Sequence, residues 1–308
     1  MRNHLILILL LFTCCAQSAT TPSKSEQWSE QLVSQLSLNA IDFLEDGSLG
    51  WIVGDIGQIE GAVIQTIDGG KSWYNIGKVT EFLTDVDFLD RHRGYAIGYA
   101  GTIIVTENGG RSWRTLRTGT EILNSLSMFD ESTGWVVGAE GLLLHTTDGG
   151  NSWSKLNTET TEDLWSITVS EDGRGIITGE SGTVLWSYDS GKTWTKQFVG
   201  YDLAFYDAII LKDRVIIVGE GGTILETTNS DAWQKLESGT DRLLRAITND
   251  GQNLLAVGAA GTIVSSSDGG KRWTVFQLAR KANLTDIAVA KNSFFVTSAK
   301  GILFKKAR

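Results

Sequence analysis

Residues 134–153 read Gly134-Trp135-Val136-Val137-Gly138-Ala139-Glu140-Gly141-Leu142-Leu143-Leu144-His145-Thr146-Thr147-Asp148-Gly149-Gly150-Asn151-Ser152-Trp153. The stretch holds two short apolar runs, divided by a G-x-x-G loop and closed by a D-G-G-x-S-W turn. Its last Trp recurs at Trp73, Trp113, Trp153, Trp194, Trp233 and Trp273, at spacings of 40, 40, 41, 39 and 40 residues. Ahead of each copy lies another apolar run, at 83–89, 123–129, 164–169, 205–211 and 243–248. Each unit thus contains four short strands, A to D, separated by Gly- or Asp-rich turns. No segment sustains a 3.6-residue apolar period, so helices should be nearly absent. Four strands per repeat of this length is the blade signature of a β-propeller.

The two ends set the blade count. Runs at 284–290, 294–299 and 302–305 supply strands A, B and C of one more unit, and the chain then stops without a Trp strand. Near the start, Gln27-Trp28-Ser29 is an orphan Trp strand, and 38–44 begins the first complete blade. The first unit is longer because 54–61 carries a four-residue insertion relative to 98–101. The expectation is an all-β, seven-bladed propeller over 27–306, its last blade closed by the N-terminal strand. Closure removes the open sheet edges that would template aggregation.

The repeated residues read as architecture. The D-G-G-x-[ST]-W element is an Asp box. Asp68, Asn108, Asp148, Asp189 and Asp268 are placed in the turn between strands C and D, where a side-chain oxygen can accept backbone N–H bonds. The paired Gly supplies positive φ. Trp28, Trp73, Trp113, Trp153, Trp194, Trp233 and Trp273 are placed to pack between neighbouring blades. Chemistry does not need one Asp per blade, and the motif decays in blade 5 to Asn229-Ser230-Asp231-Ala232-Trp233. The G-x-x-G loops join strands B and C, and no helix N-terminus follows them to hold a phosphate.

Composition narrows the class. The chain has 308 residues with 35 Gly, one Pro (Pro22), 11 Trp and a formal charge of −9. That balance argues against disorder and against a nucleic-acid binder, which needs a basic footprint. Three His (His4, His92, His145) and two Cys (Cys14, Cys15) leave little for a metal site or a Cys/His dyad, so neither metal nor cofactor is expected. Residues 1–18 read as an export signal: Arg2, an apolar core from Leu5 to Phe12, then small residues, with Ala16-Gln17-Ser18 suiting cleavage. Leu11-Phe12-Thr13-Cys14 also resembles a lipoprotein box, so free and lipid-anchored products both stay open. Residues 19–26 are a polar tether. Beyond the signal there is no apolar run of the ~20 residues that span a bilayer.

Strand order puts the D–A and B–C loops on one face and the Asp boxes on the other. The loop face carries Asp55, Glu60, Glu81, Glu121, Glu140, Glu162, Asp163, Glu180, Asp202, Glu220 and Asp241, against Arg242, Arg245, Arg280, Lys281 and Lys300. An acidic surface over blades 1 to 5 and a basic one over blades 6 and 7 are expected. Glu140, Glu180, Glu220, Arg242 and Arg245 are the candidate partner-binding residues. Aligning the A strands by Leu38, Leu83, Leu123, Leu164, Phe205, Leu243 and Leu284 puts Ala40, Asp85, Ser125, Ser166, Asp207, Arg245 and Asp286 at one level. This predicts a polar ring round the axis, with Arg245 paired to Asp207 or Asp286.

The repeat unit G-W-x-V-G-x-x-G-x-x-x-x-T-x-D-G-G-x-S-W resembles that of the photosystem II stability/assembly factor family of seven-bladed propellers, over about residues 28–306. The resemblance implies a non-enzymatic assembly or stability factor that contacts a membrane protein complex from the lumenal or periplasmic side. It also implies a protein partner and a periplasmic or lipid-anchored location; we expect a monomer. Photosynthetic members have an Arg-rich contact patch, whereas the arginines here are scattered (Arg91, Arg93, Arg114, Arg174, Arg214, Arg242, Arg245). Two other classes compete. One is a propeller that binds a small molecule or cation. The other is a sialidase-type glycosidase, which needs an Arg cluster, a Tyr–Glu nucleophile and an acid/base Asp. Its Arg-Ile-Pro signature is missing, since the one proline is Pro22.

Overall fold

The computed structural model describes residues 28–308, except 36, 56–59, 229–231 and 292. The readings of 1–18 and 19–26, the inserted residues at 56–59 and the decayed turn of blade 5 fall wholly or largely outside the described residues.

Seven four-stranded sheets form the molecule, each antiparallel. The A strands are Leu38–Phe43, Leu83–Phe88, Leu123–Met128, Leu164–Val169, Phe205–Ile210, Leu244–Asn249 and Leu284–Ala290. They pack on one another around the axis. Strand B is buried along its whole length in blades 2 to 6, for example Gly134–Gly138, while strand D, as in Arg114–Arg117, is largely solvent-facing. The burial gradient runs from the inner strands to the rim, and the sequence follows it: aliphatic residues in B and C, Thr, Lys, Arg and Gln in D. The last blade closes as the ends predict. Ser29–Leu32 runs antiparallel to Ile302–Ala307, pairing Ser29 with Lys305 and Leu32 with Ile302.

The hydrophobic core is divided into seven clusters, each lying between two adjacent blades. Between blades 2 and 3, Tyr95, Ile97, Ile103 and Val105 meet Leu123, Leu126, Met128, Val136 and Leu144, with Trp153 packed on the outside. Every cluster has one such Trp, from Trp28 at blade 7 to Trp273 at blade 6. Blades therefore bury their apolar faces against their neighbours, and no blade holds a core of its own.

Helix is confined, among the described residues, to single turns such as Ala139–Gly141 and Glu220–Gly222 in the B–C loops. The G-x-x-G spacing has a local cause. The residue before the second Gly and that Gly both take positive φ, as in Glu140 (56°) and Gly141 (69°). A Cβ at Gly141 would clash with the carbonyl of Thr160 in the following D–A loop. The loop is thereby kept tight against the strand A entrance of the next blade.

Candidate functional site: the channel mouth

Each A strand begins with a bulge. Leu38 pairs with Gly54 and Ala40 with Val53, so Asn39 is the extra residue, and the same irregularity recurs in blades 2 to 6. Bulges re-aim side chains, and here the second and third residues of every A strand both line an axial cavity of about 500 Å³. The cavity opens on the face of the D–A and B–C loops, through Tyr99, Ile122, Ala139 and Asp163.

The second-position ring does two different things. In blades 1, 2, 3 and 7 a short polar side chain stitches one blade to the next. Asn39 Nδ2 donates to Leu83 O (2.6 Å), Thr84 Oγ1 to Leu123 O (2.6 Å), Asn124 Nδ2 to Leu164 O (2.8 Å) and Thr285 Oγ1 to Leu38 O (2.6 Å). Blades 4, 5 and 6 carry Trp165, Tyr206 and Arg245 instead. Their rings and guanidinium cluster: Trp165 and Tyr206 centroids are 5.7 Å apart with the rings tilted at 50°, and Arg245 Cζ lies 5.6 Å from the first and 5.2 Å from the second. Trp165 Nε1 donates to Glu180 Oε1 at 2.8 Å.

Arg245 is thus not where the sequence alignment put it. Leu244, not Leu243, pairs with Gly258, so the third position of blade 6 is Ala246. The ring at that level is Ala40, Asp85, Ser125, Ser166, Asp207, Ala246 and Asp286. Arg245 forms no ion pair with Asp207 or Asp286, and the predicted pairing is withdrawn. Two adjacent leucines concealed the shift. The fourth position, a larger aliphatic residue in five of the other six blades, is Ile247 in the observed register and Ala246 in the other.

The ring carboxylates fasten blades together. An innermost strand is a sheet edge with unpaired N–H groups. Asp85 accepts from Leu126 N in the next blade (2.8 Å), Asp207 from Ile247 N (2.8 Å) and Asp286 from Ile41 N (2.8 Å). Two residues deeper, Asp42 accepts from Phe88 N (2.9 Å) and Asp87 from Met128 N (2.8 Å). The sequence reading passed over this second tier, although a D-x-D pattern at Asp85 and Asp87 signalled it. Asp85, Asp207 and Asp286 line the cavity, and all five carboxyls lie deep in the molecule, which favours their neutral form. Burial, opposed by these hydrogen bonds, raises Asp42 to about 7, Asp85 to about 8, Asp87 to about 6 and Asp207 to about 7. Neighbouring carboxyls add to the rise at Asp42 and Asp85. Asp286 is also raised by burial, with Arg245 opposing through its charge.

The remaining candidates lie apart from this ring. Glu140 is exposed on its B–C loop. Glu220 accepts from Ala204 N at 3.2 Å, and Arg242 makes a loose exposed pair with Asp241 at 3.9 Å. The Asp-Gly-Gly turns occupy the other face. Asp148 Oδ1 accepts from Asn151 N (3.0 Å) and Ser152 N (2.9 Å), and Asp68 and Asp189 do the same in their turns. Asp268 accepts from Arg272 N, and Asn108 in blade 2 still accepts from Ser112 N, both at 2.9 Å. Of the arginines, Arg245 alone lines the cavity, so the Arg cluster of a sialidase-type site is not assembled there among the described residues. No group of His, Cys, Asp and Glu among the described residues is arranged to hold a metal ion.

Fold and site together define a seven-bladed propeller with a lined axial mouth. The sequence profile of the family described as "Photosynthesis system II assembly factor YCF48" matches residues 75–164, and that of a "DUF6242 beta propeller domain" matches 168–301. The chain therefore resembles the photosystem II assembly factor type of propeller. Among solved structures it is similar to "YCF48 bound to D1 peptide", at 21% identity and a TM-score of 0.76 over 91% of this chain and 97% of that one. It is also similar to YCF48 from Cyanidioschyzon merolae, at 21% identity and 0.74 over 91% and 98%. Virginiamycin B lyase from Staphylococcus aureus shares the fold at 14% identity and 0.78, over 91% and 98%. No curated protein matches the chain.

Proposed function

We propose that this chain is a non-enzymatic, polypeptide-binding propeller that serves as an assembly or stability factor for a membrane protein complex, acting after export. The observation that carries the reading is the channel mouth, where three of seven blades exchange the inter-blade stitch for Trp165, Tyr206 and Arg245. Sites where a local rule is given up tend to be functional. The likeness to a propeller bound to a D1 peptide supports a protein ligand. Outside blade 1 the B–C loops are short and uniform, which suits a docking face more than a catalytic pocket.

The test is capture from detergent-solubilised membranes with the tagged, exported protein. Recovery of one membrane complex subunit, and loss of that complex in cells lacking this chain, are expected. Joint charge reversal at Glu140, Glu180 and Glu220 should weaken capture. If no membrane protein is enriched and the complex accumulates normally without the chain, the reading fails. Export has its own check: protease added to opened cells with intact inner membranes should digest the protein, and protection would place it inside.

A further inference from the structure

Charge is not balanced evenly around the mouth. Near blades 1, 2 and 7 three ion pairs lie on the rim, Lys78 with Glu60 (3.8 Å), Arg117 with Glu81 (2.7 Å) and Arg280 with Glu30 (2.9 Å), leaving Asp55 and Glu121 there without one among the described residues. Over blades 3 to 5, Glu140, Glu162, Asp163, Glu180, Asp202 and Glu220 have no Lys or Arg within ion-pair distance among the described residues. Their hydrogen bonds come from neutral donors: Trp165 Nε1 to Glu180, Ser181 Oγ to Glu162 (3.0 Å), Glu140 N to Asp163 (2.9 Å) and Ala204 N to Glu220. Unpaired negative charge therefore collects on one arc.

The same arc exposes aromatic surface. Phe198, in the connection from blade 4 to blade 5, is 90% exposed, and Tyr201 beside it is 36% exposed. Phe198 is the most exposed of the large apolar side chains among the described residues, and it lies four residues before Asp202 of the acidic arc. Inside the mouth, Trp165 and Tyr206 already hold a guanidinium, that of Arg245, within cation–π distance of both rings. Among the described residues the Arg245 guanidinium has no hydrogen-bond or ion-pair partner, and its contacts with the two rings and the surrounding field keep it there.

We propose that this arc docks a basic, extended polypeptide segment of the partner, and that Arg245 is a tethered cation for whose aromatic berth a partner Lys or Arg competes. The proposal rests on the protein-binding reading above and names the chemistry of its partner. An acidic segment would meet six carboxylates against the Arg245 guanidinium and the Lys235 ammonium, which lies 5.8 Å from the Tyr201 ring centroid, and an anionic bilayer would be repelled likewise. A basic segment gains the unpaired carboxylates, sets an apolar side chain against Phe198 and reaches the aromatic pair through the open mouth.

Fluorescence anisotropy of a labelled peptide alternating Lys and Leu, against one alternating Glu and Leu, tests this on the purified protein. The Lys peptide should bind, and weaken about tenfold between low and high salt as screening sets in. Glu180→Gln combined with Glu220→Gln should lower its affinity, because Gln keeps the acceptor oxygens for Trp165 and Ala204 but removes the charge. Phe198→Ser, at a solvent-facing position, should lower it as well. Arg245→Gln should raise it several-fold by freeing the berth. Preference for the Glu peptide, or loss of binding in Arg245→Gln, would overturn the proposal and make the guanidinium an anion receptor. If the Glu180/Glu220 double variant captures the membrane partner as well as the wild type does, the arc is not the site, though the protein-binding reading stands. If no partner is captured by either, that reading fails, and the peptide titration still decides the arc.

Discussion

Asp85 shows how one residue can fasten two blades and titrate with them. Its carboxyl accepts from Val86 N and Leu126 N, both at 2.8 Å, and lies near Asp87 and Asp286 with no cation beside it. Burial and these neighbours raise it to about 8, so at neutral pH it carries its proton. A carboxyl raised in the folded state binds protons more tightly than in the unfolded chain. It stabilises fully below the unfolded value near 4, and that contribution is lost as pH rises through about 8. Asp85→Asn keeps a neutral side chain of the same shape. The variant should melt with a flatter pH dependence than the wild type between pH 5 and 8; parallel curves from differential scanning fluorimetry would show that Asp85 is ionised in the native state.

At the scale of the element, the C–D turn is held by two residues where sequence inspection had credited one. Thr146 is buried; its Oγ1 donates to Asp148 Oδ1 (2.9 Å) and accepts from Gly150 N (3.0 Å). Thr66, Thr106, Ser187 and Ser266 repeat the arrangement. Thr146→Val leaves the buried N–H of Gly150 without a partner, and urea unfolding should show a loss of about 1–3 kcal/mol. Thr146→Ser, which keeps the hydroxyl, should lose less. Trp153 closes the cluster between blades 2 and 3. Trp153→Ala should cost about 3–5 kcal/mol, and a loss under 1 kcal/mol would mean that the Trp only covers the seam.

For the whole molecule, two families of carboxylates pull stability in opposite directions with pH. Hydrogen bonding holds Asp68, Asp148, Asp189 and Asp268 down at about 2, so their contribution is present above pH 4 and fades as pH falls through 2. Asp42, Asp85, Asp87 and Asp207 titrate the other way, between 4 and 8. The melting temperature should therefore peak near pH 4–5 and fall towards pH 8. A maximum at pH 7–8 would mean that the channel carboxyls are charged in the fold. Ring closure is the other global property. Removing residues up to 34 deletes the strand Ser29–Leu32 and bares the edge of Ile302–Ala307. The truncated protein should be less stable and should associate, as read by light scattering, because an open edge recruits a partner strand.

The sequence by itself determined the ring. Trp at a steady interval, the G-x-x-G and D-G-G signals and the orphan strands at both ends gave seven blades and their closure, because each is written in local residues. It also placed Asp85, Asp207 and Asp286 on one level, since alternation along a strand is local too. What only the tertiary structure decided was register and company. Leu243 and Leu244 offer equal starts to strand A, and pairing with Gly258 selects the second. That single step moves Arg245 from the acidic ring to the faces of Trp165 and Tyr206. The neighbours of a channel side chain come from blades about 40 residues away, and the bulge that turns two successive residues inward is fixed by the partner strand. The fold follows from periodicity, whereas the site depends on packing across seams that no local pattern encodes.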